Sequence, residues 1–333
     1  MPQPAPLPHP HRRGAGLRGK LRAGVFSSQP YRLSVLPAPS ETRPLTQRLA
    51  LGTAQFGLAY GLNNQAGQPS EPAVAEVLAA AQAAGLTLLD TAAAYGNSEA
   101  RLGELVGENQ VFDLITKLPA GPPAQVARHL AEALARLRRE QLYGVMFHSF
   151  QPLQNEPGAW QALQAARAAG QVQRIGASLY HPPEAEWLLA QGWAIDLVQV
   201  PYNVLDQRFA AVLPRLAARG VEVHVRSAFL QGLLLREPAK LPDFFRPLAP
   251  KLTRLRALAA AAGVPLPAAL LLFAAGAPGV ARAVIGVDSV ANLRENLAAA
   301  AYLDAAEALR PALAELAEPT DTFILPYAWP PRP

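Results

Sequence analysis

The chain has 333 residues, half of them apolar and 17% charged, with 33 prolines and no cysteine. That is enough to bury a large core, as two ordinary domains or one large α/β barrel, and it excludes disulfides, thiolate metal sites and cysteine nucleophiles. The net charge of +5 is unevenly placed: Arg12, Arg13, Arg18, Lys20, Arg22 and Arg32 lie in the first 40 residues, which contain no acid, so the rest of the chain carries about −1.

Residues 1–45 are rich in proline, glycine and arginine and show no sustained periodicity, which predicts a disordered extension. The alternatives are an organelle-targeting segment, against which the prolines argue, and a start codon assigned upstream of the true one. The arm has no recognisable element for reading nucleic acid, so no nucleic-acid partner is expected. No run of about 18 apolar residues occurs, so no membrane span is expected either. The expected location is cytoplasmic.

After Pro44 the pattern becomes regular. A short strand at 48–51 runs into the glycine-flanked stretch 52–57, and a polar loop follows at 63–69. Ser70 reads as the cap of a helix with Pro72 in its first turn. Val74, Val77, Leu78 and Ala81 share one face of that helix, and Gly85 ends it. Seven further strands are predicted at 86–90, 111–116, 142–147, 172–177, 195–200, 221–226 and 281–285. Helices are predicted at 98–106, 123–139, 158–169, 183–190, 207–218, 248–262, 266–275 and 290–300, and a long loop at 227–247 interrupts the alternation. Many of the strands are near-continuous apolar runs, as expected when both faces are covered. Eight βα units in about 260 residues fit a (β/α)8 TIM barrel over residues 46–310, leaving a tail at 311–333. The tail, FILPYAWPPRP at its end, either folds Tyr327 and Trp329 over the barrel rim or stays on the surface or disordered. An open doubly wound sheet is disfavoured because no Gly-x-Gly-x-x-Gly follows the first strand.

In a barrel of this kind the functional groups sit at the C-terminal ends of the strands. Those ends carry Asp90 with Tyr95 just beyond it, Lys117, His148, Ser178, Gln199, and Arg226 followed by Ser227. A phenol is a weak acid at neutral pH, but an ammonium beside it stabilises the phenolate. Asp90 would hold Lys117 charged, and His148 can donate a hydrogen bond to a carbonyl oxygen. Together they form a proton donor aimed at a carbonyl becoming an alkoxide. A hydride must then come from elsewhere, and a nicotinamide is the economical source. The remaining histidines, His9, His11, His129, His181 and His224, have no metal-ligand spacing, and no metal is expected.

Several motifs occur in order at these strand ends: LGTAQFG at 51–57, DTAAAYGNSEARLGE at 90–104, ITK at 115–117, FHS at 147–149, RIGAS at 174–178, QVPYN at 199–203 and IGVDSVANLRENL at 285–297. Over roughly residues 46–300 the chain thereby resembles the aldo-keto reductase family. The resemblance implies a (β/α)8 barrel and NAD(P)H-dependent reduction of an aldehyde or ketone, with Asp90, Tyr95, Lys117 and His148 as catalytic tetrad and Tyr95 as general acid. It implies that Ser178 and Gln199 hold the nicotinamide carboxamide and that the Gly52-Thr53 backbone lies near the ring. The loop after the seventh strand, with Arg226 and Ser227, and the segment Gly286, Asp288, Ser289, Asn292 and Asn296 would hold the pyrophosphate and adenosine. The implied partner is a small-molecule carbonyl substrate.

Three positions depart from the family pattern. Leu179 stands where an asparagine is common, and Arg226 where an aromatic usually stacks on the nicotinamide. Arg226 would either pair with an acid across the mouth or contact the cofactor. Asp288 stands where a basic residue usually meets the 2′-phosphate, so NADH is kept beside the expected NADPH. The alternative function is a barrel that binds the cofactor in a regulatory or scaffold role with little turnover.

Overall fold

The computed structural model describes residues 43–330 except 63, 65–66 and 108–110. The predicted extension at 1–45, apart from its last three residues, and part of the polar loop at 63–69 lie outside the described residues. Eight parallel strands close into a barrel in sequence order: β1 (Leu49–Gly52), β2 (Leu88–Asp90), β3 (Asp113–Leu118), β4 (Leu142–Phe147), β5 (Val172–Ser178), β6 (Leu197–Pro201), β7 (Glu222–Arg226) and β8 (Arg282–Gly286). Closure is made by β1 against β8, with Leu49 opposite Ala283 and Gly52 opposite Gly286.

The helices begin with α1 (Ala54–Gly57), α2 (Glu71–Ala83), α3 (Ser98–Val106) and α4 (Pro123–Leu137). They continue with α5 (Phe150–Asn155), α6 (Gly158–Ala168), α7 (Pro182–Ala190) and α8 (Leu213–Ala218). The chain ends with α9 (Ala249–Ala261), α10 (Leu266–Ala275), α11 (Val290–Ala298), α12 (Leu303–Ala314) and α13 (Asp321–Ile324). Ser70 caps α2 as expected, its hydroxyl accepting from the Ala73 N–H. No single helix among the described residues is long and apolar enough to cross a membrane.

Three expectations are corrected. The helix predicted at 207–218 is helical only over α8, because side chains capture the backbone upstream. The Asn203 carboxamide oxygen accepts from the N–H groups of Leu205 and Asp206, and Asp206 pairs with Arg208. Such local bonds compete with helix. The long loop at 227–247 contains short 3-10 turns that bury Leu230, Leu233, Leu234 and Phe245. The helix α12, with Pro311 inside it, was not among the predicted elements. It straddles the expected boundary at 310, and its Ala306, Leu309 and Leu313 are buried.

The lumen is layered. Ala50, Leu88, Ile115, Met146 and Leu197 form a separate apolar cluster inside the barrel, with Val284 packed against it. Side chains alternate faces along a strand, so the residues two positions further on, Gly52, Asp90, Lys117, His148, Gln199 and Gly286, form the next layer up at the C-terminal mouth. Below the apolar layer lies a buried polar cluster around Glu222. Its carboxylate accepts from Tyr143 Oη at 2.6 Å and bonds His224 Nε2 at 2.8 Å, and Arg174 Nε lies 3.2 Å away. Burial alone would raise the Glu222 pKa. The hydrogen bond and charge of His224, then Tyr143 and Arg174, outweigh it and hold the carboxyl at about 2.

A depressed carboxyl pKa gives stability that is complete above the unfolded value and is lost as pH falls through the folded one. Glu222 is therefore expected to contribute roughly 2–4 kcal/mol at neutral pH that disappears on acidification. Urea unfolding at about pH 5 and about pH 3 should show a steeper loss for the wild type than for Glu222→Gln; equal losses would remove Glu222 from the acid response.

Candidate active site

Tyr95 is positioned by its backbone. Ser98 N–H donates to the Tyr95 carbonyl at 3.0 Å, and Tyr95 N–H to that of Ala92 at 3.0 Å. Ser98 Oγ donates to the Thr53 carbonyl and lies 2.9 Å from Thr53 Oγ1, while Thr91 Oγ1 donates to Ser98 Oγ. The ends of β1 and β2 are thereby tied to the start of α3. Two glycines make the turn possible. Gly96 has φ +55°, and a Cβ on Gly57 would sit 1.8 Å from the Tyr95 carbonyl oxygen.

Lys117, at the end of β3, is 1% exposed, and its Nζ lies 2.5 Å from Asp90 Oδ1. It also donates to the Thr91 carbonyl at 3.1 Å and lies 5.2 Å from the Tyr95 ring centroid. Burial would lower the Lys117 pKa. The Asp90 charge, with Tyr95 beside it, outweighs that cost and raises it, so the ammonium stays charged. The second Asp90 oxygen accepts from Gln199 Nε2 at 2.9 Å. His148 stands edge-on to Tyr95, ring centroids 5.8 Å apart. Burial, then the charges of Lys117 and Arg226, push its pKa down to about 4, against a smaller opposing effect of Asp90. At neutral pH it is an uncharged imidazole with one N–H to donate.

A cleft of about 560 Å³ opens over this group, within the range of small-molecule and cofactor sites. Asp90, Tyr95, Lys117, His148, Ser178 and Gln199 line it, as do Gly52, Arg226, Ser227, Gly286, Asp288, Asn292 and Asn296. Two expected residues stand back from it. Thr53 is fully buried, its hydroxyl donating to the Asp90 carbonyl. Ser289 caps α11, accepting from the Asn292 N–H and donating to Asp288 Oδ1 at 3.1 Å. Gln199, expected on the cofactor, gives one amide N–H to Asp90.

Arg226 pairs with no carboxylate among the described residues. Its guanidinium lies over the Tyr180 ring, 4.2 Å from the centroid, and donates to the Leu179 carbonyl at 3.3 Å. Tyr180, Gln55, Asn64, Gln231 and Glu295 also line the cleft and were not anticipated. Glu295 lies inside the quoted motif beside Asn296, and Tyr180 two residues past Ser178, so position alone could have found both. Tyr327 does fold over the mouth, its hydroxyl 3.1 Å from His181 Nε2 and its ring edge-on to Tyr180. Trp329 packs instead on Phe245. The loop after β7 is strained, with positive φ at Ser227, Leu230 and Gln231. It is clipped to the loop after β1 by Leu62 N–H donating to Gln231 O and Arg236 donating to Leu62 O.

A closed eight-stranded parallel barrel with a lysine–carboxylate pair, a phenol and an imidazole on its C-terminal rim defines a class. The aldo/keto reductase family model matches residues 48–309, and the chain belongs to that family. An uncharacterized oxidoreductase of Mycobacterium tuberculosis is 28% identical over 302 residues, 79% of this chain and 90% of the relative. An aldo-keto reductase of Bacillus halodurans, solved in its holo form, has a TM-score of 0.66 at 20% identity over 80% of this chain and 95% of its own. A glycerol dehydrogenase of Gluconobacter oxydans matches with a TM-score of 0.66, at 20% identity, over 89% of this chain and 97% of its own. These two solved structures are alike in fold.

The close packing behind Tyr95 is testable. Gly57→Ala is expected to lower the unfolding free energy by roughly 1–3 kcal/mol, read from urea titration; an unchanged midpoint would mean that the α1–Tyr95 contact has slack.

Proposed function

We propose that the protein is an NAD(P)H-dependent oxidoreductase that reduces a small aldehyde or ketone to an alcohol, with Tyr95 as proton donor. The observation that carries this reading is the convergence of Tyr95, Lys117, Asp90 and a neutral His148 on one cleft. A bound reduced nicotinamide would supply the hydride to the carbonyl carbon. The chain does the rest. His148 donates its N–H to the carbonyl oxygen and orients it, and Tyr95 gives its proton as charge grows there. Lys117, kept charged by Asp90, stabilises the phenolate left behind. The apolar lumen beneath and the tail above limit water.

Gly52 and Gly286 put no side chain on the β1–β8 side of the cleft, which supports a dinucleotide lying along the backbone there. In this reading Gly52, Ser178 and Gln199 frame the nicotinamide, and Ser227 and the N-terminus of α11 hold phosphate. Gly286, Asp288, Asn292 and Asn296 contact the adenosine. Asp288 and Glu295 at that end suit a free 2′-hydroxyl, so NADH belongs in any assay beside NADPH.

Tyr95→Phe is expected to keep cofactor binding and to lose about 10²–10⁴-fold in turnover, followed as oxidation of NADPH or NADH with a panel of aldehydes and ketones. If the wild type binds either cofactor yet oxidises neither with any carbonyl, the enzyme reading fails and the scaffold reading takes its place.

A further inference from the structure

The Arg226 side chain does not stay over its own strand. Residue 226 ends β7, and alternation along that strand puts it on the same inward face as Glu222 and His224. In the closed strand order β6 lies between β7 and β5. Yet the guanidinium lies 4.2 Å from the centroid of the Tyr180 ring and donates to the Leu179 carbonyl at 3.3 Å, both just beyond β5. The side chain therefore crosses the end of β6, which carries Gln199, and stops against the residue that follows Ser178. The end of the cleft formed by β8 and α11, with Asp288 and Glu295, lies on the opposite side of β7.

Hydride transfer sets where a nicotinamide ring must lie. Its reactive carbon has to come within about 3–3.5 Å of the carbonyl carbon, whose oxygen meets Tyr95 and His148 in the reading above. Ser178 and Gln199 frame the ring in the same reading, so the ring lies between Tyr95 and the Arg226 guanidinium. Charge on the two sides of the ring is unequal. On the Tyr95 side Asp90 answers Lys117 at 2.5 Å. On the other side Tyr180 supports Arg226 with a π face, which holds the guanidinium and leaves its net charge in place. After burial and Lys117, the Arg226 charge also helps to lower the His148 pKa, so its field reaches the reacting groups. A nicotinamide is uncharged at the ring when reduced and carries one positive charge there once its hydride has gone to the carbonyl carbon. A fixed cation beside the ring is nearly indifferent to the first form and repels the second, more strongly in a half-buried site than in water.

We propose that Arg226 discriminates the redox state of the cofactor: it disfavours the oxidised nicotinamide, so that spent cofactor leaves readily and reduction continues when oxidised cofactor is abundant. This rests on the reading that the cleft holds NADPH or NADH beside Tyr95. The same repulsion makes alcohol oxidation, which begins with the oxidised form, demand a high cofactor concentration.

The test is calorimetric titration of NADH, NAD⁺, NADPH and NADP⁺ into the full chain. In whichever pair binds, the wild type should hold the reduced member about 10-fold or more tighter than the oxidised one. Arg226→Gln should narrow that ratio by about 10-fold, mainly by tightening the oxidised member, and Arg226→Lys should keep most of it. Unchanged binding of the reduced member shows that the site of the variant is intact. A wild-type ratio near one, or a ratio that stays the same in Arg226→Gln, overturns the proposal. Equal weakening of both members overturns it too, because the guanidinium then holds a part common to both, the phosphates or the carboxamide. The functional reading fails separately: if both forms bind and no carbonyl is reduced, the enzyme falls while the ratio still decides the role of Arg226. If none of the four nucleotides binds, the dinucleotide site and this proposal fall together.

Discussion

The buried contact between Lys117 and Asp90 is the constraint on which the rest of the mouth depends. Both side chains are almost fully removed from water, and each alone would cost several kcal/mol to bury as an ion. The pair survives because every polar direction is answered. One Asp90 oxygen meets the ammonium and the other meets the Gln199 amide, while the Lys117 ammonium also reaches the Thr91 carbonyl. Three strands, β2, β3 and β6, are thus tied at one level of the barrel. Losing either ion would strand the other, a loss of about 3–5 kcal/mol.

The level at which this pair sits follows from strand register. Asp90 and Lys117 each come two residues after an apolar lumen residue, Leu88 and Ile115. The same step places His148 above Met146 and Gln199 above Leu197. An apolar plug therefore lies directly under the charged layer and keeps water from reaching it from below. The second charged layer, around Glu222, lies on the far side of that plug. Charge at the mouth acts in a dry setting, where a fixed ammonium is worth more than in water. The same field, with burial, keeps His148 neutral.

Much of this was legible in the sequence because it is local. The strand ends fell within two residues of their predicted places, and an alternating barrel strand carries a residue's register with it. The turn holding Tyr95 was legible too, since Gly96 and Ser98 follow directly. What stayed hidden depends on convergence. Tyr180 and Tyr327 meet from segments far apart in the chain, and neither segment shows a pattern that points to the other. The α12 helix was not predicted, and it forms around Pro311 with Ala306, Leu309 and Leu313 buried. The stretch before α8 was predicted as helix, but the Asn203 side chain takes the N–H groups of Leu205 and Asp206, and that of Asp206 takes the N–H of Arg208. Arg226 was visible as an anomaly, but only packing showed that it rests on an aromatic ring and not on an acid.

The mouth thus has a charged, buried floor and a rim built from loops. The floor is the paired layer just described, and the rim is the strained β7 loop with the Tyr180–Tyr327 wall. In the proposed reading, chemistry belongs to the floor and choice of substrate to the rim. The most direct measurement is a crystal structure of the protein with oxidised or reduced cofactor and an unreactive carbonyl analogue such as a carboxamide. The analogue's oxygen is expected within hydrogen-bonding distance of both Tyr95 Oη and a ring nitrogen of His148, with the Lys117–Asp90 contact intact beneath. An oxygen bound away from both groups, or a Tyr95 hydroxyl turned out of the cleft, would contradict the assignment of Tyr95 as proton donor.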